Sequence, residues 1–188
     1  MKKIIIAIDS FKGCLTSAEA GKAAEKGIKS INPFCHTSVI PIADGGEGLL
    51  DVLITATKGK YITLSAHGPL MKMAKTHYGL SGNGRTAIIE MAAISGLPLV
   101  PIEQRNPMLT TTFGTGELIK DALNKGCRNF IIGIGGSATN DAGLGMLQAL
   151  GFRFLDKSGH TLGTGGQIME AVANIDTSGI HPALRETH

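Results

Sequence analysis

Residues 129–151 read NFIIGIGGSATNDAGLGMLQALG. The stretch FIIGI over 130–134 carries no polar side chain and predicts a buried strand, covered on both faces. It passes directly into Gly-Gly-Ser-Ala-Thr-Asn-Asp and then into a helical pattern. Two readings of that junction stand side by side. In one it is a tight turn, with Ser137, Thr139, Asn140 or Asp141 capping the helix, since these are the ordinary caps. In the other it is a cradle for an anionic group. Gly135 and Gly136 let the backbone come close, Ser137 and Thr139 offer hydroxyls, and Asn140 and Asp141 position a substrate hydroxyl or a metal.

The same construction occurs twice upstream. KIIIAI over 3–8 predicts another strand covered on both faces, followed by the loop DSFKGCL. TSAE is a capping box, in which Thr16 caps a helix and Glu19 reaches back. That helix is predicted to run to about residue 30, stopped by Asn32-Pro33. TSVIPIA over 37–43 is a strand kept near an edge by Pro41. DGGEG over 44–48 opens a helix over 49–58, with Gly59 as its stop. The alternation predicts an α/β fold with a Rossmann-like, mainly parallel sheet over 1–60. From residue 61 the pattern turns to short strands over 61–66, 73–80 and 85–91, with SGNG (81–84) as a hairpin turn. A second, β-rich α/β domain is expected over 61–188. It includes a short helix ended by Gly96, a helix over 113–126, a hairpin over 152–163 and a helix near 167–175. The tail from 176 onward reads as though a further element follows, so both domains are expected to be incomplete.

Composition narrows the classes. Hydrophobic residues make up 43% of 188 and net charge is +3 with no basic run, which favours a packed core and excludes a nucleic-acid-binding charge pattern. No apolar run approaches the roughly 20 residues of a membrane span, and the run before Asp9 is too short for a signal peptide. Cys14, Cys35 and Cys127 are odd in number and lie far apart, against a disulfide framework or zinc site. A cytoplasmic location is the expectation. The 26 glycines cluster in loops, not in a repeat. No Walker A motif occurs, so an ATP user with this sequence is not a P-loop enzyme. GIGGSA (133–138) with Asp156 is a weak dinucleotide fingerprint, and Asp156 falls in a predicted hairpin turn. An NAD-dependent reductase is therefore the last of the alternatives.

Several side chains follow strands at the end where open α/β sheets bind ligands. Asp9 and Asp44 either form turns or hold magnesium or act as base. Lys12 is a solvated loop lysine or a point charge on phosphate. Glu47 is a first-turn helix acid or a site residue. Ser10, Gly45 and Gly46 belong to the same phosphate-facing loops. Arg105 is a surface residue or a bidentate carboxylate clamp. His36, His67, His77 and His160 lack ligand spacing and read as structural.

Five blocks in order, AIDSFKGCLTSAEA, PIADGGEG, IIEMAAISGL, QRNPMLTTTFGTGELI and GIGGSATNDAG, resemble the bacterial type-1 glycerate kinase family. The resemblance implies a Rossmann-like domain with a second α/β domain inserted into it. It implies transfer of the ATP γ-phosphate to a hydroxyl of D-glycerate with Mg2+, with 2-phosphoglycerate the favoured product. Asp141, Lys12 and Asp44 are the catalytic expectations, and Asp44 and Asp141 the metal ligands. The family pattern coincides with the residue-level sites at Asp9, Lys12, Asp44, Glu47, Ser137, Asn140 and Asp141. Ala142 departs from it, standing where a glycine often follows. The chain ends near the midpoint of the family pattern. It is therefore expected to hold part of an interdomain cleft and to leave a sheet edge open to self-association. A non-catalytic binder of small acids or phosphate is the second reading.

Overall fold

The computed structural model describes residues 3–11 and 14–187. Strand β1 (Lys3–Ile8) leads through the first loop to helix α1 (Ser17–Ile31) and strand β2 (His36–Pro41), which pairs parallel with β1. The capping box is formed: Thr16 Oγ1 accepts from the Glu19 N–H at 3.2 Å, and Glu19 accepts from the Thr16 N–H at 2.9 Å. The Ser17 hydroxyl donates to the Ile8 carbonyl (2.6 Å) and accepts from the Ile42 N–H (3.1 Å). One side chain at the helix start thus holds the carboxyl ends of β1 and β2 together.

Helix α2 (Leu49–Thr57) follows the second glycine loop. Then come β3 (Lys60–His67), β4 (Met73–Leu80) and β5 (Thr86–Glu90), joined in antiparallel fashion, with the turn over 81–84 between β4 and β5. The short helix α3 (Ala92–Ser95) ends at Gly96, and helix α4 (Phe113–Asn124) leads to β6 (Asn129–Gly133), parallel to β5. The second sheet is therefore mixed, in the order β3-β4-β5-β6. Helix α5 (Leu144–Ala149) and the strands β7 (Arg153–Leu155) and β8 (Asn174–Asp176) complete the named elements.

Side-chain alternation along β5 builds the core on both faces of this sheet. Ala87 and Ile89 pack with Ile94, Leu118, Ala122 and Leu123 on the α4 side. Ile88 points the other way, against Leu50 and Ile54 of α2. Helix α2 thus shares a core with the second sheet, whereas the pattern groups it with the first strands up to residue 60. Buried Tyr78 donates to Asp121 at 2.8 Å, and burial, aided by that bond, drives its phenol well above the ordinary range.

Some expectations are corrected. The runs of β1 and β6 predict strands covered on both faces. Among the described residues each instead has one paired neighbour, and Ile5, Ile131 and Ile132 are exposed. Strand β7 pairs with β8; its predicted partner over 160–163 makes a single bridge, Leu155 to Thr161. The predicted helix near 167–175 is a 3-10 segment, Gly166–Ala171, which gives way to β8. Asp156 closes a tight turn, accepting from the N–H groups of Ser158 and His160. It does not end a parallel strand beside β6, so the dinucleotide reading loses its acidic partner. No described helix is long and apolar enough to cross a membrane.

Candidate active site

The loop after β6 and the loop after β2 meet backbone to backbone. The Gly135 N–H donates to the Gly45 carbonyl at 3.2 Å. A Cβ on Gly135 would lie 2.7 Å from the Gly46 Cα, and one on Gly133 would lie 2.5 Å from the Gly45 carbonyl oxygen. The glycines of the opening stretch therefore admit a second glycine loop, a closeness that no larger residue permits. Gly136 takes φ 74, the left-handed turn that redirects the chain. Beyond it the loop is stitched to α3 and the segment after it: Leu97 N–H donates to the Gly136 carbonyl (2.9 Å), and Ala138 N–H to the Ser95 carbonyl (2.9 Å).

Ser137 and Thr139 make a closed hydroxyl pair at 2.8 Å, and the Thr139 N–H donates to Ser137 Oγ at 3.0 Å. Neither caps α5, which begins at Leu144 with Gly143 at its N-cap. Asn140 is exposed.

Asp141 differs from its neighbours. It is 1% exposed. Its two oxygens accept from the Thr112 N–H (2.8 Å), the Thr112 hydroxyl (3.0 Å), the Thr111 hydroxyl (3.2 Å), the Gly143 N–H (3.1 Å) and the Gly145 N–H (3.2 Å). The carboxylate thus sits between the first turns of α4 and α5, where free N–H groups and helix dipoles favour a negative charge. A base or a magnesium ligand needs an open lone pair and a path to the ligand. The Asp141 geometry provides neither and fits an anchor that ties two helices to the loop. Thr112, which shares this anchor, lies in the QRNPMLTTTFGTGELI block, but nothing in its residue type or spacing marks it as a partner of Asp141.

At the other strand ends, Asp9 accepts from the Ser10 N–H (2.6 Å), and exposed Asp44 accepts from the Gly46 N–H (3.0 Å), each shaping its own turn. Lys12 lies outside the described residues. Among the described residues no three of His, Cys, Asp and Glu gather in a metal-holding group. Magnesium commonly uses one or two carboxylates together with substrate phosphates. Asp44 fits that requirement and Asp141 does not.

Two hollows flank the paired loops. The larger, about 460 Å³, lies between the start of α1 and the start of α2, with Ser10 and Glu47 in its lining. Four carboxylates face it, those of Glu19, Glu47, Asp51 and Glu90, and no described lysine or arginine does. Glu90, at the end of β5, accepts from the Leu50 N–H at 2.8 Å. Burial raises its pKa above the ordinary carboxylate value. It is a lining residue that the motif reading passes over, although an acid at the end of a strand is close to the signal that marks Asp9 and Asp44. Asp51 accepts from the Tyr61 phenol, which that bond pushes up to about 12. The smaller hollow, about 240 Å³, is lined by Arg105, Asn106, Thr110, Ser137 and Thr139 over an apolar floor that includes Leu97 and Val100. Arg105 is its single charged residue. The predicted site residues thus divide: Asp9, Ser10 and Asp44 to Glu47 gather at one end, Arg105, Ser137 and Thr139 at the other, and Gly135 joins them.

This is an α/β protein whose glycine loops converge at the carboxyl ends of parallel-paired strands, the end at which open α/β sheets bind ligands. The family model described as "Glycerate kinase family" matches residues 4–188, so the chain belongs to the glycerate kinase family. It is 54% identical over 183 residues to a glycerate kinase of Bacillus subtilis (strain 168), covering 97% of this chain and 48% of that one. Over 184 residues it is 49% identical to the glycerate 2-kinase of Escherichia coli K12, covering 98% and 48%. The crystal structure assigned to glycerate kinase 2 of Salmonella typhimurium LT2 superposes with a TM-score of 0.87 at 47% identity, covering all of this chain and 51% of that one. The chain spans about half the length of the curated relatives it matches.

Proposed function

We propose that this chain carries out, or carries the ligand-binding half of, ATP-dependent phosphorylation of D-glycerate, with 2-phosphoglycerate the favoured product and a cytoplasmic site of action. The observation that carries this reading is the meeting of the Asp44–Gly48 and Gly133–Thr139 loops between two hollows. Phosphoryl transfer needs two ligands brought together, with donors and little covalent chemistry from the protein. Only the larger hollow has room for a nucleoside, and its carboxylates suit ribose hydroxyls. Asp44 is the residue that would hold Mg2+, which neutralises phosphate charge when bound. Gly45, Gly46 and Gly136 would present backbone to the phosphates, with Asp9, Ser10 and Glu47 beside them; Lys12, by residue type, would supply a point charge on phosphate. Asn140 would position a substrate hydroxyl, a role that rests on its residue type and its place in the loop. Asp141 acts as a positioning residue that sets the loop. The boundary near residue 60, with a second unit to 188, stays a proposal alongside this reading.

The test is ADP release by the purified 188-residue chain with MgATP, with and without D-glycerate, together with 31P NMR of the product. Glycerate-dependent release supports transfer, and the phosphate resonance distinguishes the 2- from the 3-product. A second reading, binding without transfer, draws on the chain's spanning about half of its relatives. Glycerate binding with no ADP release favours it. Tight NAD binding with neither would remove both.

A further inference from the structure

We propose that the small hollow beside the Gly133–Thr139 loop is a binding site for short hydroxycarboxylates, with Arg105 as the clamp on the carboxylate. It rests on glycerate being the acceptor, and it assigns the acid to one end of the site.

Three features converge there. The Arg105 Nε–H donates to the Val100 carbonyl at 3.2 Å, which fixes the plane of the guanidinium. Its two terminal nitrogens have no protein acceptor among the described residues. They present the paired donors that grip a carboxylate in bidentate fashion. Asn106 lies next to it. Its Oδ1 is held by the Met108 N–H at 3.0 Å, so its amide NH2 is left to donate. Across the hollow, the Ser137–Thr139 hydroxyl pair can exchange donor and acceptor roles, which suits a ligand hydroxyl. Charge favours the smaller hollow for the acid: among the described residues the larger is lined by four carboxylates, and this one by a single arginine and no acid. Size agrees, because about 240 Å³ admits a three-carbon acid and is too small for a nucleoside triphosphate.

The experiment is calorimetric titration of the whole chain with D-glycerate, L-lactate, glycerol and inorganic phosphate, repeated on Arg105→Gln and Arg105→Lys. Arg105 is exposed, so both variants are expected to melt with the wild type. D-glycerate and L-lactate are expected to bind and glycerol is not. Arg105→Gln should weaken both acids by at least about tenfold, and Arg105→Lys should restore part of the loss, since it keeps the charge and loses the fork. An unchanged glycerate Kd in Arg105→Gln overturns the assignment, as does the absence of binding by either acid. Phosphate binding more tightly than either acid would reassign the hollow to a phosphate and overturn it too. The two proposals fail separately. Arg105-dependent acid binding with no ADP release removes the kinase reading and leaves the site. ADP release whose glycerate KM is untouched by Arg105→Gln removes the site and leaves the kinase reading.

Discussion

The two hollows on either side of the paired glycine loops differ in charge, size and origin. The larger is built by the first strand–helix units and faced by four carboxylates. The smaller is built by the irregular segment between α3 and α4 and holds one arginine. The loop over 133–139 belongs to both neighbourhoods: Gly135 touches Gly45 and Gly46, while Ser137 and Thr139 line the smaller hollow. A site assembled this way can sort a nucleotide from a small acid by size, while one shared loop keeps the two in register.

Four changes break or sharpen that contrast, from the largest effect to the smallest. Asp141→Ala removes the acceptor of five donors behind the loop, four of them buried. It is expected to cost about 3 kcal/mol by urea unfolding, since unsatisfied buried partners of a charged group are expensive. Amide exchange should rise first around Thr111, Thr112 and Gly145, and later at α1. Wild-type stability in this variant would remove Asp141 as the anchor. Gly135→Ala drives a methyl into the Gly46 backbone and is expected to cost about 2 kcal/mol, in line with overpacking. It should also disturb amide resonances in both loops at once; shifts confined to one loop would show that the two are not coupled. Thr16→Ala removes the cap of α1 at the rim of the larger hollow, worth about 1 kcal/mol. Its thermal shift should leave acid binding at Arg105 untouched.

The smallest effect is a pH slope. Burial holds the Glu90 carboxyl above its ordinary value of 4.5, so the folded chain keeps this proton to higher pH than the unfolded one. The stability so contributed is complete below that ordinary value and is lost as pH rises through the raised folded value. Gln cannot ionise. The stability of Glu90→Gln relative to wild type is therefore expected to increase as pH rises above the ordinary carboxylate value of 4.5 in urea melts. A flat difference would mean that Glu90 titrates normally.

Local structure was legible wherever a residue acts on its own neighbours. Thr16 and Glu19 mark the start of α1, Gly96 the end of α3, and Ser81–Gly84 the turn between β4 and β5. What depends on distant partners was not. The apolar runs of β1 and β6 resemble that of β5, and only tertiary pairing makes β5 central and, among the described residues, β6 an edge. Asp141 in its motif looks like a reactive acid. The two threonines that enclose it lie about thirty residues upstream, with no pattern linking them to it. The glycines of GIGGSA read as room for a ligand, yet two of them make room for Gly45 and Gly46. Arg105 was legible as a clamp by residue type, but its nearness to Ser137 and Thr139 comes from the fold.

The most direct test of the division between the hollows is a 15N–1H shift map of the chain titrated with D-glycerate in the absence of nucleotide. The account predicts saturable shifts at residues 97–110 and 137–139, with Glu47, Asp51 and Glu90 unmoved. Shifts centred on Glu47 and Glu90, with Arg105 and Ser137 silent, would contradict it.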